Sequence, residues 1–187
     1  QPLRLSDGRQ VQLDRPLDFA AVTDHADGFD VMYLCTDPEY RGDAYCRAMR
    51  DARKSGAGRT IFTDYLLPMI GGAQPAQSPL CAKDGVDCDA AIKSQWRRAQ
   101  FAANGADAPC EFTAFIGYEW TSNAGGGDNL HRNVIYRDAK AKADEVLPMT
   151  TFDSENPEDL WKWMSAWEAR TGGSLLAIPH NGNLSNG

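Results

Sequence analysis

Apolar residues in this chain gather in short runs that stop abruptly on acids and histidines. Leu17-Asp18-Phe19-Ala20-Ala21-Val22-Thr23-Asp24-His25 is the first, and the runs from Phe112 to Glu119 and from Leu175 to His180 repeat the arrangement. Near-continuous apolar runs of this length are the pattern of buried strands. In α/β folds, chemistry gathers where such strands end at their carboxyl side. The pattern predicts strands over residues 18–23, 112–118, 132–137 and 174–178. Between them the period changes to helical. Asp43 can cap a helix over 44–55, closed by Gly56-Ala57-Gly58. Asp89 can cap a helix over 90–103 that places Ile92, Trp96, Ala99 and Ala103 on one face. Asn156-Pro157 opens the clearest helix, with Glu158 and Asp159 complementing its dipole and Leu160, Trp163, Met164 and Trp167 forming the buried stripe. Gly172-Gly173 ends it.

The remaining stretches are irregular. Residues 26–41 lack periodicity and read as a loop above the first strand end. Residues 60–70 read as a short helix and 71–79 as a Gly, Pro and Gln-rich loop. Together, residues 40–80 read as a helical insertion over the site, or as a plain helical pair packed on the core. The order of strand, helical excursion, strand, strand, helix and strand favours an α/β fold over a sandwich. At 187 residues the expectation is a single domain.

Composition is that of an ordinary globular chain, 42% hydrophobic and 24% charged. The net charge of −7 argues against a broad nucleic-acid surface, which needs clustered Lys and Arg. An acidic protein can still take a small phosphorylated substrate if a metal supplies the positive charge. No run approaches the ~18–20 apolar residues of a membrane span. Gln1 opens a polar stretch with no visible signal peptide, and the expectation is a piece of a longer protein or a processed one. None of the five cysteines has the CxxC spacing of a structural zinc site. Cys81 and Cys88 flank a polar loop and can close a small disulfide, or all five cysteines can be free. A disulfide would place the protein in the periplasm or outside the cell.

The three histidines of the chain, His25, His131 and His180, all fall next to strands, with Asp24 and Glu119 in the same kind of position. Each alone reads most simply as a structural histidine; as a set they read as metal ligands. Imidazole with carboxylate suits zinc, manganese or iron rather than calcium. Such a metal activates a bound water and polarises a phosphoryl or carbonyl oxygen. The candidate ligands are His25, Glu119, His131 and His180, with Glu119 suited to bridging two ions. Asp24 can be a direct ligand or a group that orients an imidazole. Arg132 can hold a substrate anion, or be a solvated or salt-bridged arginine. Asp24 and Arg132 are the candidate catalytic residues. No GxSxG elbow is present, and Gly125-Gly126-Gly127 does not match a phosphate-cradling loop.

Asp18-Phe19-Ala20-Ala21-Val22-Thr23-Asp24-His25 resembles the second motif of the polymerase-and-histidinol-phosphatase (PHP) superfamily of metal-dependent phosphoesterases. Phe115-Ile116-Gly117-Tyr118-Glu119-Trp120-Thr121, Asn129-Leu130-His131-Arg132-Asn133-Val134-Ile135 and Ile178-Pro179-His180-Asn181-Gly182-Asn183-Leu184-Ser185-Asn186-Gly187 are similar to a bacterial PHP-like family, domain of unknown function 3604. The resemblance implies part of a distorted (β/α)7 barrel lacking its first and last strands. It implies up to three divalent ions, zinc, manganese or iron, at the strand ends. His25, Glu119, His131 and His180 match its ligands, and Asp24 its supporting acid. The superfamily's early His-x-His and late Asp-x-His pairs have no counterpart in residues 1–187. The functional expectation is a metal-dependent hydrolase, a phosphoesterase of a small molecule first. A hydrolase of amides, lactones or sulfate esters and a non-catalytic fragment with an incomplete metal site are the alternatives. Exposed sheet edges left by absent strands would invite self-association.

Overall fold

The computed structural model describes residues 2–55, 77–124, 128–144 and 146–180. A two-stranded antiparallel ribbon comes first, β1 (Leu3–Arg4) with β2 (Gln10–Val11). The main sheet has four strands in sequential order: β3 (Phe19–Ala21), β4 (Thr113–Ser122), β5 (Leu130–Tyr136) and β6 (Leu175–His180). β3 runs parallel to β4, while β4–β5 and β5–β6 are antiparallel.

This topology overturns the expected (β/α)7 barrel. The described residues form a mixed α/β unit with one curled four-stranded sheet and a separate two-stranded ribbon. The physical reason is chain length between strands. A parallel pair needs a crossover of a dozen residues or more, whereas an antiparallel pair can be joined by a short loop. The seven residues between Ser122 and Leu130 allow only the second.

The excursion between β3 and β4 is helical: α1 (Phe29–Leu34), α2 (Ala44–Ser55) and α3 (Cys88–Ala106). Residues 26–41 are therefore not a plain loop. A 3-10 turn (Ala26–Gly28), α1 and a second 3-10 turn (Pro38–Gly42) occupy them. Asp43 caps α2 as expected, its Oδ1 accepting the N–H of Tyr45 at 2.9 Å. The expected helix over 60–70 lies outside the described residues. α3 starts one residue ahead of Asp89, with Asp87 as cap accepting from Ala90 N–H. A short α4 (Lys140–Ala143) follows β5, and α5 (Pro157–Thr171) runs from its Asn156 cap to Gly172.

Side-chain alternation gives the main sheet two different faces. Ile116, Tyr118, Trp120, Val134 and Tyr136 are buried together with Trp96 of α3 and Leu160 and Trp167 of α5. Trp96 is central. Its ring lies 5.9 Å from Tyr118, 5.5 Å from Tyr136 and 6.3 Å from Phe29, and its Nε1 donates to the Ala143 carbonyl at 3.0 Å. The opposite face is open at one end, where Phe19 is 65% and Leu176 58% exposed. A second, smaller core holds Leu34, Leu80 and Ala91 with two disulfides, Cys35–Cys46 and Cys81–Cys88. The second of these is the pairing the flanked loop suggested; the first was not foreseen. Closing loops of 11 and 7 residues, each contributes about 2–3 kcal/mol on the chain-entropy account. Cys110 is free and exposed.

The end of α5 yields a prediction. Gly172 has φ +65° and its added Cβ would meet open space. Gly173 is buried, and an added Cβ would overlap the Trp167 ring and sit 2.9 Å from Asp138 Oδ2. Gly173→Ala should cost about 3 kcal/mol and Gly172→Ala about 1 kcal/mol, read from urea denaturation. Equal losses would contradict this packing.

Candidate metal centre

Three adjacent strands carry one polar row. In the β4–β5–β6 register Thr121 faces His131, and His131 faces His180. Glu119 lies two residues back on β4, on the same face as Thr121. His25 enters from the far side: it follows β3 and forms a parallel bridge with Glu119. Its position is fixed from behind, because Ala26 and Phe29, just after it, are buried in the main core.

The side chains converge on Glu119, which is buried. Glu119 Oε1 is 2.5 Å from His131 Nδ1 and 3.9 Å from His180 Nε2. Its Oε2 is 3.8 Å from His25 Nε2. Ligand atoms of His25, Glu119 and His131 all lie within 4.8 Å of one another. Ligand pairs on one tetrahedral ion with bonds of ~2.1 Å stand ~3.4 Å apart, so the 3.8 and 3.9 Å pairs need to close by only a few tenths of an ångström.

Two residues that the sequence reading passed over belong to the site. Thr121 Oγ1 stands between two imidazoles, 2.9 Å from His25 Nδ1 and 3.2 Å from His131 Nδ1. The hydroxyl oxygen can accept from His25 Nδ1–H, while Glu119 Oε1 is the nearer acceptor for His131 Nδ1–H; with both protons on Nδ1, both Nε2 lone pairs are free for an ion. His131 Nε2 is buried and has no hydrogen-bond partner among the described residues. The second is Asp27. Its Oδ1 is buried without a hydrogen-bond partner among the described residues, 3.9 Å from His25 Nδ1. Burial pushes the Asp27 carboxyl up, against the pull of His25. Both residues follow an expected ligand by two positions, which is the one sequence signal that could have found them.

The structure separates Asp24 and Arg132 from this row. Asp24 contributes main chain, its carbonyl accepting the Glu119 N–H at 2.9 Å. Its exposed side chain lines a groove of about 410 Å³ on the helix side of β3, with Val22 and Ala99. Arg132 alternates to the face opposite His131, and its Nη1 donates to the His131 carbonyl at 2.8 Å. His25, Glu119, His131 and His180 are the expected residues that come together.

The chain belongs to the family described as Protein of unknown function (DUF3604). That family's sequence profile matches residues 1–187. Comparison with the curated proteins and with the solved structures returned no match. Among the described residues of this DUF3604 chain, no helix is long and apolar enough to cross a membrane.

Burial pushes the His131 imidazole below its ordinary value of 6.5, outweighing the opposing effect of Glu119. In metal-free protein the native state then binds fewer protons here than the unfolded chain as pH falls below 6.5. Stability from this group is intact above that pH and is lost as pH falls toward the lowered native value. Denaturant titrations in a chelator over about pH 5 to 8 should record the decline. His131→Gln should flatten it, and an unchanged slope in that variant would count against a buried neutral imidazole.

Proposed function

We propose that this chain carries a metal-dependent hydrolase site of the PHP-like kind, acting on a phosphoester. The observation that carries the reading is the convergence of His25, Glu119 and His131 ligand atoms within 4.8 Å, with His180 paired directly to His131. Neutral imidazoles and carboxylate suit zinc, manganese or iron. His25, His131 and His180 would hold the ions through ring nitrogens. Glu119 is suited to bridging, since one of its oxygens faces His25 and the other faces His131 and His180. When bound, such ions lower the pKa of a coordinated water and polarise a phosphoryl oxygen.

The chain's own groups do the positioning. Thr121 fixes the two imidazoles that flank it, and the backbone of Asp24 holds Glu119 in register. Asp27 is placed to take up a proton or a second ion beside His25. The two disulfides support an oxidising compartment, the periplasm or the cell exterior.

Elemental analysis of the purified protein with assays on p-nitrophenyl phosphate and a phosphoester panel tests the reading. Bound zinc, manganese or iron is expected, with turnover lost by at least about 100-fold in His131→Ala and His180→Ala. Added metal at 100 times its Kd should raise wild-type stability by about 2.7 kcal/mol and leave His131→Ala unmoved. Absence of all three metals, with no effect of His180→Ala on any hydrolysis, would sink the proposal. Turnover of amides or sulfate esters without phosphatase activity would keep the site and change the substrate.

A further inference from the structure

The second core holds a buried acid that the metal site does not use. Asp30, in the first turn of α1, is 2% exposed, and its Oδ2 lies 3.2 Å from Cys81 Sγ. Cys81 is bonded to Cys88, so its sulfur has no proton to donate. An ionised carboxylate oxygen facing that sulfur would be buried without a donor on that side. A carboxylic acid can donate O–H to sulfur instead. The carboxyl also accepts the backbone N–H groups of Val31 and Ser78, and burial pushes it above the usual carboxylate range.

The two disulfides differ in access. Cys46 is fully buried and Cys35 nearly so, whereas Cys81 is only half-buried. Cys88 opens α3, where the helix dipole favours a thiolate. Asp87 and Asp89 on either side oppose that effect, so the difference between the two sulfurs rests on Asp30.

We propose that Cys81–Cys88 is a redox-active disulfide, opened by a dithiol in the folded protein, with Asp30 as the proton donor and acceptor for Cys81. One thiolate of the dithiol attacks Cys81 Sγ; the Cys81–Cys88 bond breaks, and Cys88 leaves as a thiolate that is protonated from solvent. The second thiol, deprotonated, attacks its own sulfur in the mixed disulfide. Cys81 leaves and takes the Asp30 proton. Two electrons pass to the protein, the dithiol ends as a disulfide, and one proton is released to solvent. Asp30, now ionised, accepts the new S–H of Cys81, so the contact persists with its direction reversed. The inference is independent of the metal site and of any hydrolytic activity.

The test is graded dithiothreitol on the folded protein, with alkylation of each cysteine followed by mass spectrometry and folding followed by circular dichroism. Cys81 and Cys88 should become labelled at least about tenfold faster than Cys35 and Cys46, with the dichroism unchanged. Asp30→Asn should slow the release of Cys81 from the mixed disulfide about tenfold, so that the mixed disulfide accumulates in the mass spectra, and Asp30→Glu should recover part of the rate. Infrared difference spectra of the wild type should lose one carboxylic-acid band on reduction, which reads the Asp30 proton without any variant. The proposal is overturned if both disulfides open together, if opening waits for loss of the fold, or if the carboxylic-acid band is absent. A wild-type rate of Cys81 release in a folded Asp30→Asn protein would overturn it equally.

Discussion

The site depends on the register of three antiparallel strands. Tyr118 faces Val134 and Val134 faces Ala177, three positions along from the Thr121–His131–His180 row. Strand side chains alternate, so a slip of one residue would send His131 to the helix side and Val134 out of the core. What prevents the slip is the aromatic face. Tyr118, Trp120 and Tyr136 are all buried, with Trp96 and Trp167 from the two long helices packed over them. Each such ring removes ~150–250 Å² from water, so misplacing one costs far more than any polar contact in the row could return. The packing on one face of the sheet thereby fixes the chemistry on the other.

His25 reaches the row by a different route. β3 is only three residues long, and its ladder alone would hold the following loop weakly. Ala26 and Phe29 anchor that loop in the main core, beside Trp96. α1 then leads into the second core, where apolar side chains are few and two disulfides do the tying. A small core of this kind gains much of its stability from cross-links, because it cannot bury enough surface by itself. The acid-bearing turn Ala26–Gly28 is held from both ends, which is how Asp27 Oδ1 can stay buried beside an exposed histidine.

Much of this was legible in the sequence, for identifiable reasons. α5 announced itself through Asn156, Pro157 and the Leu160–Trp163–Met164–Trp167 stripe, since caps and period agree. The convergence of His25, Glu119, His131 and His180 was legible because histidines are few and each adjoins an apolar run. The direction of the strands was not, because apolar content reports burial and not partner orientation; the short connection from Ser122 to Leu130 carried that information and was passed over. α1 was missed because Phe29, Leu34 and their neighbours are too few to establish a period, and their helix is fixed by tertiary packing. Asp24 drew attention as the acid beside a histidine. Its side chain instead lines the groove beside α3, and the acid that comes close to His25 is Asp27, brought round by the 3-10 turn Ala26–Gly28.

That distinction bears on how the row would accept a cation. Glu119 is buried and Asp27 half-buried, and their mutual repulsion adds to the desolvation that pushes Asp27 up. Without an ion, burial and this repulsion shift Asp27 toward its protonated form, while Glu119 shares a short contact with His131. On the metal reading, a divalent ion would supply positive charge beside the two carboxylates, with Glu119 as a ligand and Asp27 drawn back toward its ionised form. On that reading, His131 Nε2, buried and without a hydrogen-bond partner among the described residues, is the atom that an ion would satisfy.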